Sequence, residues 1–294
     1  MKFKFFYHLY FGLFLTILPE MTFPQSVDFT IQDIKFESAG DTLSGSILEP
    51  KKPLAAVVIV HGSDPVKREM EFAKLLAKEG IAVLTYDKRG VGESGGVYVG
   101  PSVGTNNIDT TNLNLLARDA SAGINTLFTH LKNKKIPIGL IGFSQAGWII
   151  PIAAEKNRNV NFMVIFSGPV ITTLEQLRFQ FYTNGDEKFW DTHTESDARE
   201  HIKNDPDKYQ FAATNPQKQL KNLTIPGLWI FGGKDIQIPV VLSMENLDKL
   251  NATGKKYEYK LFPELGHNTS SAPSEPVNKA INWIKSKRKM NFSK

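Results

Sequence analysis

The 294-residue chain is expected to fold as one α/β domain, a mainly parallel central sheet with helices on both faces and a helical insertion over about 170–222. Three observations predict it. Residues 57–60 form a short, continuously apolar, β-branched run, which is what a strand covered on both faces requires. Such runs alternate with stretches of helical spacing, and repeated strand–helix units close into a parallel sheet. The rhythm then breaks over 170–222, where charges are many and aromatics recur at Phe179, Phe181, Tyr182, Phe189, Trp190, Tyr209 and Phe211, as in inserted helices.

Composition is consistent with this. With 41% hydrophobic and 22% charged residues the chain can bury a substantial core, which excludes a disordered tail, a coiled coil and a disulfide mini-protein. No cysteine is present, so disulfides, a thiol nucleophile and cysteine-based metal sites are excluded. The net charge of +5 is weak support for a nucleic-acid partner, because much of the excess sits at the ends, in Lys2, Lys4, Lys285, Lys287, Arg288, Lys289 and Lys294.

Taken in order, Lys2 and Lys4 precede an apolar run over 5–18 and a polar exit over 19–26, the pattern of a secretory signal peptide over 1–25, cut near Gln25. At about 14 residues the run is short for a bilayer of about 30 Å, so an uncleaved anchor is the second reading. Export to a periplasmic or extracellular space is expected, with 26–294 as the folded domain. Residues 27–36 and 42–48 alternate and meet around Ala39-Gly-Asp41, an antiparallel hairpin. The strand at 57–60 is followed by a helix over 65–79, with Met70, Phe72, Leu75 and Leu76 at helical spacing and Gly80 as its stop. Then come a strand over 81–86, a glycine-rich loop over 90–105, a helix over 111–131, a strand over 136–141, a helix over 145–157 and a strand over 162–166. After the insertion the sheet resumes at 227–231, with a helix over 239–250, a strand over 257–262 and a last helix over 275–287.

The sharpest chemical feature is Ile138-Gly-Leu-Ile-Gly-Phe-Ser-Gln-Ala-Gly-Trp148, a strand running into a helix with Ser144 at the turn. Such a turn strains its central residue and lifts the hydroxyl above the sheet edge, so the neighbours two positions away must be small. Gly142 and Ala146 meet that condition. The helix begins beside the serine, which places the Gln145 N–H and the positive helix end next to a developing oxyanion. A serine nucleophile needs a base and the base an orienting acid. His267 follows the last strand, at the edge where open α/β sheets bind ligands, and is the best base by topology. The acid should end the preceding strand, where Asp235 follows Gly232 and Gly233. The first parallel strand ends in His61-Gly-Ser-Asp-Pro65, whose Gly62 lets the backbone approach a ligand and whose Ser63 N–H would be the second oxyanion donor. The His61 ring is read as holding that loop. Asp87 and Arg89, in Tyr86-Asp-Lys-Arg-Gly-Val-Gly-Glu-Ser94, are read as a structural turn, because the glycines there lack phosphate-binding spacing. No metal-ligand pattern and no basic–aromatic interleaving appears, so no cofactor, metal or nucleic acid is implied.

Together these segments resemble the α/β-hydrolase family, in particular exported bacterial hydrolases with serine-aminopeptidase-like and dienelactone-hydrolase-like features. The matches are His61-Gly-Ser-Asp-Pro65, the run over 80–94, Gly142-Phe-Ser-Gln-Ala-Gly-Trp-Ile-Ile-Pro151, Phe166-Ser-Gly-Pro169, Gly233-Lys-Asp235 and Gly266-His267, spanning 56–268. The resemblance implies an eight-stranded sheet, Ser144 as nucleophile, Asp235 as orienting acid, His267 as base and the insertion as a cap. Ala146 departs from the commoner glycine, and Asp64 sits where related sequences often have glycine.

The expected chemistry is hydrolysis of carboxylic esters through an acyl-enzyme on Ser144, with His267 as general base, Asp235 orienting it and the Ser63 and Gln145 N–H groups holding the oxyanion. The partner is a small acyl ester, with no membrane partner unless the leader stays uncleaved. An exopeptidase or amidase is the nearer rival, for which Glu175, Asp186, Glu187 and Asp191 of the cap could supply charge. A non-catalytic binding scaffold is the more distant one. The cap aromatics suggest an apolar acyl or aryl pocket, or else a small core of the cap itself.

Overall fold

A computed structural model describes residues 28–100, 106–207, 209–271 and 274–289, so the signal peptide expected over 1–25 lies outside the described residues. Strands β1 (Phe29–Ser38) and β2 (Asp41–Pro50) make the expected hairpin, turned by Ala39 and Gly40 in left-handed conformations. The sheet continues with β3 (Ala55–Val60), β4 (Ile81–Tyr86), β5 (Ile138–Phe143), β6 (Phe162–Phe166), β7 (Gly227–Gly232) and β8 (Tyr257–Phe262). Its eight strands lie in the order β1-β2-β4-β3-β5-β6-β7-β8. The β1–β2 and β2–β4 pairings are antiparallel, and from β4 to β8 every pairing is parallel.

The helices in chain order are α1 (Met70–Lys78), α2 (Thr110–His130), α3 (Ala146–Lys156), the inserted α4 (Thr173–Thr183), α5 (Phe189–Thr192), α6 (Glu195–Asn204) and α7 (Gln217–Asn222), then α8 (Val240–Asn251) and α9 (Glu275–Ser286). Alternation within a single strand divides the core. Ala56, Val58 and Val60 of β3 point into the layer beneath α2, α3 and α8, while Ala55, Val57 and Ile59 point into the layer beneath α1 and α9. Every residue of β3 and β4 is buried, which is why these strands read as unbroken apolar runs rather than as alternation. No described helix is long and apolar enough to cross a membrane.

One helix is shorter than its periodicity predicts. The spacing suggests a helix from residue 65, yet α1 starts at Met70. The N–H of Arg68 donates to Asp87 Oδ1 at 2.8 Å and that of Glu69 to Thr85 Oγ1 at 2.8 Å, so 65–69 are fastened to the end of β4 instead of coiling.

Of the inserted helices, α4, α5 and α6 form a small core of their own, while α7 packs Leu220 into the main one. Phe179, Phe189, Ala198 and Ile202 are buried together, flanked by Tyr182, Trp190 and Ile236. Phe179 stacks on Trp190 at 6.0 Å and Tyr182 meets Phe189 edge-on at 5.2 Å. Most of the cap aromatics therefore face one another and not an acyl pocket. The loops after β3, β5, β7 and β8 emerge at one edge of the sheet, which is where the chemistry-bearing residues gather.

Candidate active site

β5 ends at Phe143 and α3 begins at Ala146, leaving Ser144 and Gln145 to make the turn. Ser144 has φ 49°, in the left-handed region that costs a residue with a side chain about 1–3 kcal/mol. Two hydrogen bonds of 2.8 Å hold it there, from Ser144 N–H to Phe166 O and from Gly147 N–H to Ser144 O. A Cβ on Gly142 would lie 2.6 Å from Ala146 Cβ and 2.7 Å from Val60 O. The methyl of Ala146 is thus accommodated because the residue facing it has no side chain.

Asp235 follows β7 and is 1% exposed. Its Oδ1 accepts the N–H groups of Gln237 at 2.7 Å and Ile238 at 3.1 Å, and its Oδ2 lies 2.8 Å from His267 Nδ1. The loops carrying the acid and the imidazole can touch because β7 ends in glycine: a Cβ on Gly232 would fall 2.1 Å from Gly266 O. With Nδ1 donating to the carboxylate, Nε2 is left as the acceptor in the neutral ring, and it is buried with no partner among the described residues. His267 and Ser144 line the same cavity, with no hydrogen bond joining them. From the cap, Trp190 Nε1 donates to Asp235 O at 2.9 Å and seats the insertion on the acid loop.

Ser144 stands between two cavities. The one beneath the cap, about 330 Å³, is lined by Ser63, Ser144 and six carboxamides, Asn107, Gln145, Gln176, Gln180, Asn184 and Gln237, with apolar wall from Ile108, Trp148, Leu177, Phe181 and Ile238. It has no charged side chain. The other, about 370 Å³, is bounded by Gly62, Ser63, Phe143, Ser144 and His267 and includes Asp64 and Glu69. Burial pushes the Glu69 carboxyl above its usual range. None of Glu175, Asp186, Glu187 or Asp191 lines either cavity, and no lysine or arginine does. Instead Glu175 closes the capping box of α4 with Thr172.

Ser63 and Gln145 border the cap-side cavity together with Ser144, and neither of their backbone N–H groups is taken by an acceptor among the described residues. A Cβ on Gly62 would meet Phe143 O at 3.5 Å and Ser144 Cβ at 3.7 Å, which is ordinary contact, so its bareness serves access to the serine more than packing.

The turn after β4 is structural, as its sequence suggests. Arg68 grips Asp87 with two bonds of 3.1 Å, and buried Arg89 grips buried Asp119 at 2.9 and 2.5 Å while also pairing with Asp41. His61 packs edge-on to Tyr86 at 4.8 Å, and burial, reinforced by the Lys88 charge, pushes it down to about 3, so it stays neutral and outside the relay. His130 pairs with Glu49, His201 with Asp205, and His193 stacks on Phe189, all away from Ser144.

Three residues at the site carry no sequence signal that spacing could reveal: Trp190, Gln237 and Lys88. Lys88, 3% exposed, donates from Nζ to Gly62 O at 2.6 Å, Ser63 O at 2.9 Å and Gln145 Oε1 at 3.3 Å. Burial brings it down to about 8, with Asp64 opposing the shift. Tyr98 joins it, its hydroxyl donating to Ser63 O at 2.8 Å.

Two family models match the chain: serine aminopeptidase, S33, over residues 51–190, and the BAAT / acyl-CoA thioester hydrolase C-terminal domain over residues 121–293. No curated protein matches it. Among solved structures it is similar to the Pyrococcus furiosus esterase Pf2001, at 21% identity and a TM-score of 0.64, covering 88% of this chain and 91% of that one. It is similar to the Pyrococcus horikoshii acylaminoacyl peptidase at 17% identity and a TM-score of 0.65, covering 92% of this chain and 43% of that longer protein. A protein described as a dienelactone hydrolase, from Klebsiella pneumoniae, aligns at 17% identity and a TM-score of 0.60 over 88% and 97% of the two chains.

Proposed function

The chain belongs to the BAAT / acyl-CoA thioester hydrolase C-terminal family, within the α/β-hydrolases, and from that premise we propose that it is a serine hydrolase of carboxylic esters that acts through an acyl-enzyme on Ser144. The observation that carries the reading is the left-handed Ser144 sharing a cavity with His267, whose Nδ1 is held by Asp235. Ser144 Oγ attacks the ester carbonyl while its proton passes to His267 Nε2, the ring atom left without a partner. That link closes when substrate is bound, since hydrogen bonds of this kind tighten in the Michaelis complex. The carbonyl oxygen, now negative, is held by the Ser63 and Gln145 N–H groups, and His267 gives its proton to the departing alcohol. Water, deprotonated by His267, then attacks the acyl carbon and frees Ser144.

The cavity linings favour an ester with a neutral acyl group. Beneath the cap a peptide's free ammonium would find no carboxylate, Asp64 and Glu69 bordering only the other cavity, and the phosphates of a coenzyme A thioester would find no cation in either. The carboxamides favour an acyl group with hydrogen-bonding capacity of its own over a plain hydrocarbon chain. The signal-like leader supports export as the setting.

The test is labelling of the purified protein with a fluorophosphonate probe beside Ser144→Ala, followed by rates on p-nitrophenyl esters, aminoacyl anilides and acyl-coenzyme A. Labelling should vanish in the variant and ester turnover fall by about 10⁴-fold or more. Faster anilide than ester turnover would move the reading to a peptidase, and absence of labelling in folded protein would overturn Ser144 as an activated nucleophile.

A further inference from the structure

We propose that Lys88 is a positioning residue of the oxyanion site, whose ammonium polarises the Gly62–Ser63 peptide group and so strengthens the Ser63 N–H as a donor to the developing oxyanion. The inference rests on the acyl-transfer reading above. The oxygen of Gly62 and the N–H of Ser63 are the two ends of one conjugated, planar unit. A cation 2.6 Å from the oxygen end withdraws electron density through that unit and leaves the hydrogen at the other end more positive. The same ammonium reaches Ser63 O and Gln145 Oε1, so one charge pins both segments that carry the two oxyanion donors. Gln145 is fixed at its other end, where Nε2 donates to Asn107 O at 2.6 Å.

Packing alone gives no reason for a lysine at this place. Lysine is almost never buried without a charged partner, and the three acceptors around Nζ are all neutral. The charged and titratable groups that face it are few. Asp64 acts on it through space, Asp87 is already held by Arg68, His61 is neutral, and the Tyr98 ring lies 5.3 Å from Nζ. The positive charge is therefore felt mainly along the two loops. Deprotonation near pH 8 leaves an amine that can still donate hydrogen bonds, so the loops keep their geometry while the polarising charge disappears. Activity should follow the charge.

The experiment compares wild type, Lys88→Met, Lys88→Arg and Tyr98→Phe by kcat and KM for p-nitrophenyl acetate across pH 6–10, with circular dichroism to check folding. Lys88→Met should lower kcat about 10- to 100-fold, below the full loss of an oxyanion donor, with KM changed less than about threefold. Wild type should show an alkaline fall in kcat that Lys88→Arg, which keeps its charge, lacks. Tyr98→Phe removes a bond to Ser63 O, which belongs to the next peptide group, and should lower kcat far less than Lys88→Met. Unchanged kcat in Lys88→Met, or equal losses in Lys88→Met and Tyr98→Phe, would overturn the proposal and leave Lys88 a loop fastener. If Lys88→Met does not fold, the same alkaline fall in Lys88→Arg as in wild type overturns it. Fluorophosphonate labelling of wild type, lost in Ser144→Ala, is read alongside. Its absence sinks the serine-hydrolase reading, whereas its presence with any of the overturning results sinks only the role of Lys88.

Discussion

Replacing Asp235 with asparagine should disable the enzyme through the tautomer of His267 and not through loss of structure. Asp235 Oδ1 accepts two backbone N–H groups, from Gln237 at 2.7 Å and Ile238 at 3.1 Å. An asparagine must keep its oxygen on those donors, because turning the NH₂ towards them would set donor against donor inside a buried loop. The amide nitrogen is then forced to face His267 Nδ1 at the 2.8 Å position now held by Oδ2. A neutral imidazole answers a donor at Nδ1 by accepting there and carrying its proton on Nε2, which cannot then take the proton of Ser144. The fall in kcat for the equivalent tautomer error in serine proteases is about 10⁴-fold, or about 5 kcal/mol of transition-state stabilisation. Stability should change little: weakening two charge-assisted bonds by about 1 kcal/mol in total corresponds to about 2–4 °C in Tm for a domain of this size. The assay is steady-state hydrolysis of p-nitrophenyl acetate at pH 7 with a thermal melt of the same preparation. A variant that keeps kcat within tenfold of wild type, with its fold intact, would refute the assignment of Asp235 as the orienting acid.

Two stability predictions follow from the groups around the site. His61 titrates at about 3 in the folded chain against 6.5 when unfolded, so between those values the unfolded chain holds a proton the folded one lacks, and stability falls as pH drops through this window. Between pH 7 and 5 this amounts to about 2 kcal/mol, and His61→Gln should remove that part of the pH dependence in urea unfolding. An unchanged dependence in the variant would mean that His61 is protonated in the native state. Gly142→Ala places a methyl 2.6 Å from Ala146 Cβ and 2.7 Å from Val60 O, and should cost about 1–3 kcal/mol with weaker fluorophosphonate labelling. Adding Ala146→Gly should recover part of that loss, because one of the two clashes is then removed, and strict additivity of the two changes in urea unfolding would argue against the elbow packing described.

The sequence by itself determined the alternation of buried strands and helices, and with it the sheet. Residues 81–86, 162–166 and 257–262 are read at the same bounds the strands take, since a run of β-branched and aromatic residues between glycine, proline or asparagine punctuation leaves little choice of state. The convergence of Ser144, Asp235 and His267, the proposed site residues, was legible because each follows a strand, and in a parallel sheet all such ends share one edge. Local chemistry also made the Asp87–Arg89 turn legible. What depended on long-range contact was not. The start of α1 was misread because the bonds that unwind 65–69 come from Thr85 and Asp87, side chains at the end of β4 and in the turn after it. The destination of the cap aromatics was open because a helix sequence shows which face is apolar and not what that face meets, and here it met the other cap helices. The uncharged, carboxamide-lined cavity draws on α3, α4 and loops far apart in the chain, and Lys88 reads as one more loop lysine until β3 and α3 bring Gly62, Ser63 and Gln145 around its ammonium. Periodicity and punctuation are local properties and fix secondary structure; the spatial order of the strands, the lining of a cavity and the environment of a charge are set by which distant segments pack together, and only the tertiary structure decides those.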